Sequence, residues 1–324
     1  MPSSAVRTFT DPDEYAASIR GGDVELTVAA GGDFYAKLIR IDLHCLWMQR
    51  FADNLPRIIH SAHIPGRASV KFRTAPGPSF FAASLEIRST NLVRHSLADN
   101  YHQRSSGSAH FGTMSLPVED MAALGETMAG ADLTPPRDTM LITPPPSAMG
   151  KLQRLHAAAG DLAKKAPEIL ANPDAAHGLE QALVEALVGC FAECDRPREN
   201  SLAQGQHAIV MRRFGRVVEE SPTVPLFIPE ICKVIRVSER TLRVCCQEHL
   251  GMAPKRYLLL RRMGLVRRAL RRAAPDATSV TAIATRHGFW ELGRFSMAYR
   301  KLFGELPSTT LRRNADASVS GTSV

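Results

Sequence analysis

The side chains best suited to chemistry with a partner are arginines set about one helical turn apart. Arg240 and Arg243 follow Ser238 in one stretch. Arg294 and Arg300 recur in another, with Glu291 and Ser296 beside them. A guanidinium presents two parallel N–H donors that match the O6/N7 edge of guanine, at about 1–3 kcal/mol of discrimination per good pair. Catalytic arrangements are missing from the sequence. It has no Gly-x-Ser-x-Gly, phosphate loop or dinucleotide fingerprint. His44, His60, His63, His95, His102 and His110 crowd the first half. They lack a His-x-His pair with a spaced glutamate and further histidine, so they read as packing or surface residues. No catalytic residue, metal or cofactor is expected.

The elements that must hold these arginines are two helix-turn-helix-like units. The first runs from Ile228 to Arg243 and the second from Val280 to Ser296. Paired short helices can set their second helix in the major groove, and two pairs suit two successive grooves. In the first unit Ser238 is a good N-cap, Leu242, Cys246 and Leu250 line the buried face, and Gly251 can end the helix. A segment from Tyr257 to Arg272 carries Leu258, Leu259, Met263, Val266 and Leu270 at helical spacing. Some of its arginines, Arg268 among them, are expected to touch phosphate, and others to solvate the helix or pair with acids. In the second unit Ile283 and Ala284 point inward, Gly288-Phe289 marks the turn, Phe295, Tyr299 and Phe303 continue the apolar face, and Gly304 ends it.

Charge follows this division. From His207 to Arg313 there are 21 Lys and Arg against 8 Asp and Glu, a net of +13. That leaves −5 for the rest of a chain whose net is +8. A basic C-terminal part on an acidic remainder suits attraction to phosphate. At 324 residues and 44% apolar content the chain has room for two cores. It has no apolar run long enough to span a bilayer and no apolar signal core after Met1, so no membrane partner is expected and the cytoplasm is the expected compartment. The six cysteines (Cys45, Cys190, Cys194, Cys232, Cys245 and Cys246) form neither zinc-type pairs nor a secreted disulfide framework.

The first half reads as an α+β unit, residues 1–195. Partly alternating runs such as Phe34–Leu43 and Ala68–Arg73 predict short strands over about 30–143, divided by turn clusters at Ile64-Pro-Gly and Ala75-Pro-Gly-Pro. They fit a small β-barrel or sandwich. Three prolines after Thr143 close it, and helices follow over about 148–194. Leu179, Leu183 and Leu187 recur on one helical face. Such a stripe must bury against the barrel or a second copy, and a homodimer is the expectation adopted. Residues 196–206, with Pro197, read as a linker, 207–313 as the helical domain, and 314–324 as a disordered tail.

Gly251-Met-Ala-Pro254-Lys-Arg-Tyr257, Arg261-Arg262-Met263, Ile283-Ala284, Gly288-Phe289, Phe295-Ser296 and Phe303-Gly-Glu-Leu-Pro-Ser308 resemble, at matching internal spacing, the signature of the AraC/XylS family of bacterial transcription regulators. The likeness covers about a hundred residues. It implies an all-α domain with two helix-turn-helix units, double-stranded promoter DNA and RNA polymerase as partners, nucleoid association when bound, and a cupin-like N-terminal barrel that takes a small effector in some members and none in others. Four positions depart from the pattern. Cys246 replaces a usual phenylalanine, Val244 and Met297 replace common arginines, and Arg236 replaces the turn glycine of the first unit. A ligand-binding or interaction protein with a degenerate reader is the alternative, and a cupin enzyme ranks last.

Overall fold

The computed structural model describes residues 1–21, 24–61, 64–82, 84–97, 101–130, 132–192, 202–221 and 226–319. The expected linker falls mostly on 193–201, outside the described residues, as do His63 and Cys194. The expected disordered tail falls partly there, but the last helix continues to Val319 rather than ending near Arg313.

The N-terminal half is built from strands β1 (Ser3–Phe9), β2 (Val24–Val28), β3 (Ala36–Asp42), β4 (Trp47–Asp53), β5 (Arg57–Ser61), β6 (Arg67–Arg73), β7 (Phe80–Ala82), β8 (Leu85–Glu86), β9 (Leu92–Arg94), β10 (Tyr101–Ser105), β11 (Ala109–Pro117) and β12 (Met140–Ile142). One sheet has the order β1-β3-β4-β11-β6-β9-β12 and the other β2-β5-β10-β7-β8. They face each other as an open pair rather than closing into the expected barrel. Strands also begin at Ser3, well before residue 30. The sequence hides β1 because it is an edge strand whose side chains are mostly exposed, so it carries little apolar alternation.

Period-two alternation divides the larger sheet between two cores. On β4, Phe51 faces the second sheet, its ring stacked at 4.3 Å on that of its cross-strand neighbour Phe111 of β11, while Met48 faces outward. The outward side is covered by α3 (Pro146–Lys165), α4 (Pro167–Ala171) and α5 (Pro173–Ala192). Gly112 of β11 has no room for a Cβ because His156 of α3 packs there. Leu183 and Leu187 of α5 are fully buried in this core and Leu179 is half-buried against it. The leucine stripe expected to support a homodimer therefore closes the chain's own core. Two short α-helices, α1 (Pro12–Ser18) and α2 (Val118–Leu124), also belong to this half, and a π-helical turn (Gly125–Ala129) follows α2.

The C-terminal half comprises α6 (Leu202–Glu219), α7 (Ile228–Ile235), α8 (Glu239–Leu250), α9 (Pro254–Arg272), α10 (Val280–Arg286), α11 (Leu292–Phe303) and α12 (Pro307–Val319). It has two cores. Phe214, Ile231, Leu242, Cys246 and Tyr257 belong to the first, and Val266, Ile283, Phe295 and Tyr299 to the second. Helix α9 contributes to both, with Tyr257 in one and Met263, Val266 and Leu270 in the other. Its 19 residues span about 28 Å at about 1.5 Å each. It is the rod that spaces the two units.

Candidate nucleic-acid interface

Local chemistry fixes the helices of both helix-turn-helix units. Ser238 caps α8, its hydroxyl accepting the Thr241 N–H at 3.0 Å. Leu242 is buried behind it, and Gly251 ends the helix at φ +70°. Pro254 then starts α9 in its first turn, where a missing N–H costs nothing. In the second unit Ser279 caps α10 by accepting from Ala282, Ile283 and Ala284 are buried, and Gly288 turns the chain at φ +77°. Phe289 and Phe295 pack ring to ring at 4.8 Å, Phe303 is half-buried beside Tyr299, and Gly304 ends α11 at φ +76°. Arg236 adopts φ +57°, the one non-glycine positive φ among the described residues. The first turn thus keeps the left-handed shape that glycine would take without steric cost.

Cys246 is fully buried with its thiol 3.9 Å from the Met211 sulfur, so a thioether fills space near the small side chain. Burial pushes the Cys245 thiol up to about 11 and Cys246 higher still. Both are held as thiols, which suits packing rather than redox chemistry.

Arg240 and Arg243 lie exposed on α8, together with Val244 and Gln247. Arg294 and Arg300 are exposed on α11. Arg294 is held by Glu291 at 2.8 Å, both side chains more than half exposed. Such a surface pair contributes at most about 1 kcal/mol and yields readily to another anion. Ser296 is half-buried. Arg240, Arg243, Val244, Arg294 and Met297 all stay exposed with the two halves docked.

Arg268 has a different setting from the one expected. It binds Asp13 at 3.1 Å and Glu25 at 3.3 Å, in the N-terminal half. Its neighbours do likewise: Arg261 binds Glu25, Arg267 binds Asp11 and Asp13, and Arg271 binds Asp11 and Glu14. Four arginines of α9 therefore close on four carboxylates instead of facing phosphate. The carboxylates are displayed by the start of α1, where Asp11 is the N-cap accepting from Asp13 and Glu14, and by β2. Sequence reasoning missed this acidic set. Its only trace was the negative balance of the first 206 residues.

Histidines form another part of the contact between the halves. His60 of β5 and His102 of β10 stack at 4.5 Å, and His60 binds Glu219 of α6 at 2.8 Å. Arg104 of β10 reaches the Glu248 carbonyl of α8, and His207 of α6 binds the Glu248 carboxylate at 2.6 Å. Burial pushes His102 well down, His249 to about 4, and lowers His60 against the pull of Glu219. Burial thus favours the neutral form of each ring. Among the described residues no cluster of His, Cys, Asp or Glu could hold a metal ion.

Alternation on the smaller sheet gives it two distinct faces. Val24, Ile59 and Gln103 line a cavity of about 80 Å³ between the sheets, with Trp47, Phe111 and Arg67 opposite. Glu25, His60 and His102, each one residue away on the same strands, face the helical half. One layer of β2, β5 and β10 separates the cavity from α6 and α9.

Comparison with known proteins places the helical half. A family profile described as a helix-turn-helix domain matches residues 231–313. The XylDLEGF operon transcriptional activator of Pseudomonas putida is 35% identical over 101 residues, 31% of this chain and 32% of that protein. A probable thc operon regulatory protein of Rhodococcus erythropolis is 42% identical over 103 residues, 32% of this chain and 31% of that one. The chain thus matches about a third of the length of these curated relatives. Among solved structures, the AraC-like transcriptional activator CuxR aligns over 88% of this chain and 100% of its own, at 13% identity and TM-score 0.44. A probable AraC family transcriptional regulator from Rhodopseudomonas palustris aligns over 32% of this chain and 96% of its own, at 31% identity and TM-score 0.30. Residues 231–313 thus match a helix-turn-helix domain and are similar in sequence to the corresponding third of these operon regulators.

Proposed function

We propose that the protein is a sequence-specific, DNA-binding transcription regulator that reads two adjacent major grooves with α8 and α11. The observation that carries this is the pair of outward faces bearing Arg240, Arg243 and Arg294, fixed by α9 and left open while the two halves are docked. The net of +13 over residues 207–313 supplies sequence-independent attraction. Base contacts from the arginines supply the choice of site.

The cavity between the sheets is the seat of a small effector in this reading. A ligand there presses on Val24, Ile59 and Gln103, and the same strands hold α9 and α6 through Glu25 and His60. RNA polymerase and a second copy of the chain complete the expected partners. The second copy must use a face other than Leu183, which the chain's own core occupies.

Selection of bound sequences from random duplex DNA tests the reading, followed by titration of wild type and Arg240→Ala on the selected site and a scrambled one. Arg240→Ala should cost about 1–3 kcal/mol on the selected site and little on the scrambled duplex. Equal affinity of the wild type for every duplex would instead favour an interaction protein with a degenerate reader, for which Val244 and Met297 are the motive.

A further inference from the structure

Each reading face carries an exposed apolar side chain one turn from an arginine. On α8 it is Val244, four residues after Arg240, and on α11 it is Met297, three after Arg294. These spacings place each pair on one helix face. Val244 is 47% exposed and Met297 68% exposed, the latter more than most apolar side chains of the chain. A face meant only for solvent has no use for them, and each stays exposed with the two halves docked.

We infer that Val244 and Met297 read thymine, each by packing on the C5-methyl group of a base in the major groove, beside the groove edges addressed by the neighbouring arginines. The inference rests on the proposed DNA reading. Thymine is the base that presents an apolar group in that groove, and apolar side chains are its natural partners. The setting favours DNA over a protein. A stable protein contact needs about 1,000 Å² of joined surface, whereas these are single side chains, one on each of two helices with separate cores, each among cations. The two differ in kind. Val244 is β-branched and held in one rotamer on a helix, so it offers its methyl groups at fixed position. Met297 is unbranched and adapts to its surroundings. The thymine under α8 should therefore be the more strictly required.

The test uses the full chain and the site selected from random DNA. Each thymine of that site is replaced singly by deoxyuridine, which deletes only the C5-methyl. Wild type should lose about three- to fivefold in affinity at one thymine under each reading helix, the effect of one buried methyl. Val244→Ala should bind thymine and uracil alike at the first position, and Met297→Ala at the second, while Arg240→Ala keeps both losses. Both residues are exposed and alanine favours helix, so the variants keep the fold. A selected site lacking thymine at these places overturns the inference. So does uracil bound as tightly as thymine throughout, or a wild-type thymine-to-uracil ratio kept by both alanine variants. Absence of any preferred sequence sinks the regulator reading itself, whereas a preferred site indifferent to the methyl sinks only this one.

Discussion

Arg261 of α9 gives both its Nε and its Nη2 to one carboxylate oxygen of Glu25 in β2, at 3.1 and 3.0 Å. The two residues are 236 positions apart in sequence, and Arg261 is almost wholly buried. The rod that spaces α8 and α11 is therefore fastened to the wall of the cavity. Any shift of β2 is passed to α9 through a charged pair rather than through the chain.

Removing one partner should show this directly. Glu25→Ala leaves a mostly buried guanidinium without its carboxylate and should cost about 1.5–3 kcal/mol of docking free energy. Hydrogen exchange at the amides of β2 and α9 should rise. Arg261→Ala combined with Glu25→Ala should cost clearly less than the two single changes added. Strict additivity would mean that the pair does not couple the halves.

Acid should loosen the same contact. The folded-state values of His60, His102 and His249 lie below that of a free imidazole, so the unfolded or undocked chain binds more protons as pH falls. Stability is then full above about pH 6.5 and is lost progressively on the way down, toward about pH 4 for His249. The groups facing these rings are Glu219 of α6, Glu25 of β2, Arg261 and Tyr257 of α9, Arg104 of β10, and Glu248 of α8 with His207 of α6. Comparing pH 7 with pH 5.5 stays above the range in which free carboxylates titrate. Small-angle scattering should show a larger radius at pH 5.5, and an unchanged radius and exchange pattern would remove the imidazoles from the account.

Arg236 holds a left-handed backbone at the turn before α8. Arg236→Gly relieves that conformation but adds freedom to the unfolded chain, and the balance should be a gain of about 0.5–1 kcal/mol. The midpoint of denaturant unfolding of the helical domain should rise, and a fall would mean that the side chain itself contributes more than the strain.

Leu183 is fully buried between α5 and the larger sheet. Leu183→Asp should therefore unfold or loosen the N-terminal half, by more than about 3 kcal/mol, rather than yield a folded monomer. A well-folded variant with halved mass in sedimentation would restore the dimer stripe.

Arg268 makes a useful contrast to Arg240. Because Arg268 is paired with Asp13 and Glu25, Arg268→Ala should leave the salt dependence of DNA binding nearly unchanged. A slope shallower by about one would make it a phosphate contact after all.

The amino-acid sequence by itself determined the two helix-turn-helix units. Caps at Ser238 and Ser279, turns at Gly251, Gly288 and Gly304, and apolar side chains such as Leu242, Ile283, Phe295 and Tyr299 at helical spacing are local signals, and each acts within about one turn of its own residue. They fix which helices form and which faces carry Arg240, Arg243 and Arg294. Only the tertiary structure decided what each buried face meets. The stripe of Leu179, Leu183 and Leu187 had to be covered, but helical period is the same whether the cover is a sheet or a second chain. The arginines of α9 had to find anions, but phosphate and carboxylate draw a guanidinium by the same charge. Nothing near Arg261 in sequence points to Glu25, because that pairing exists only once two sheets have faced each other and turned one side of β2 toward the helices.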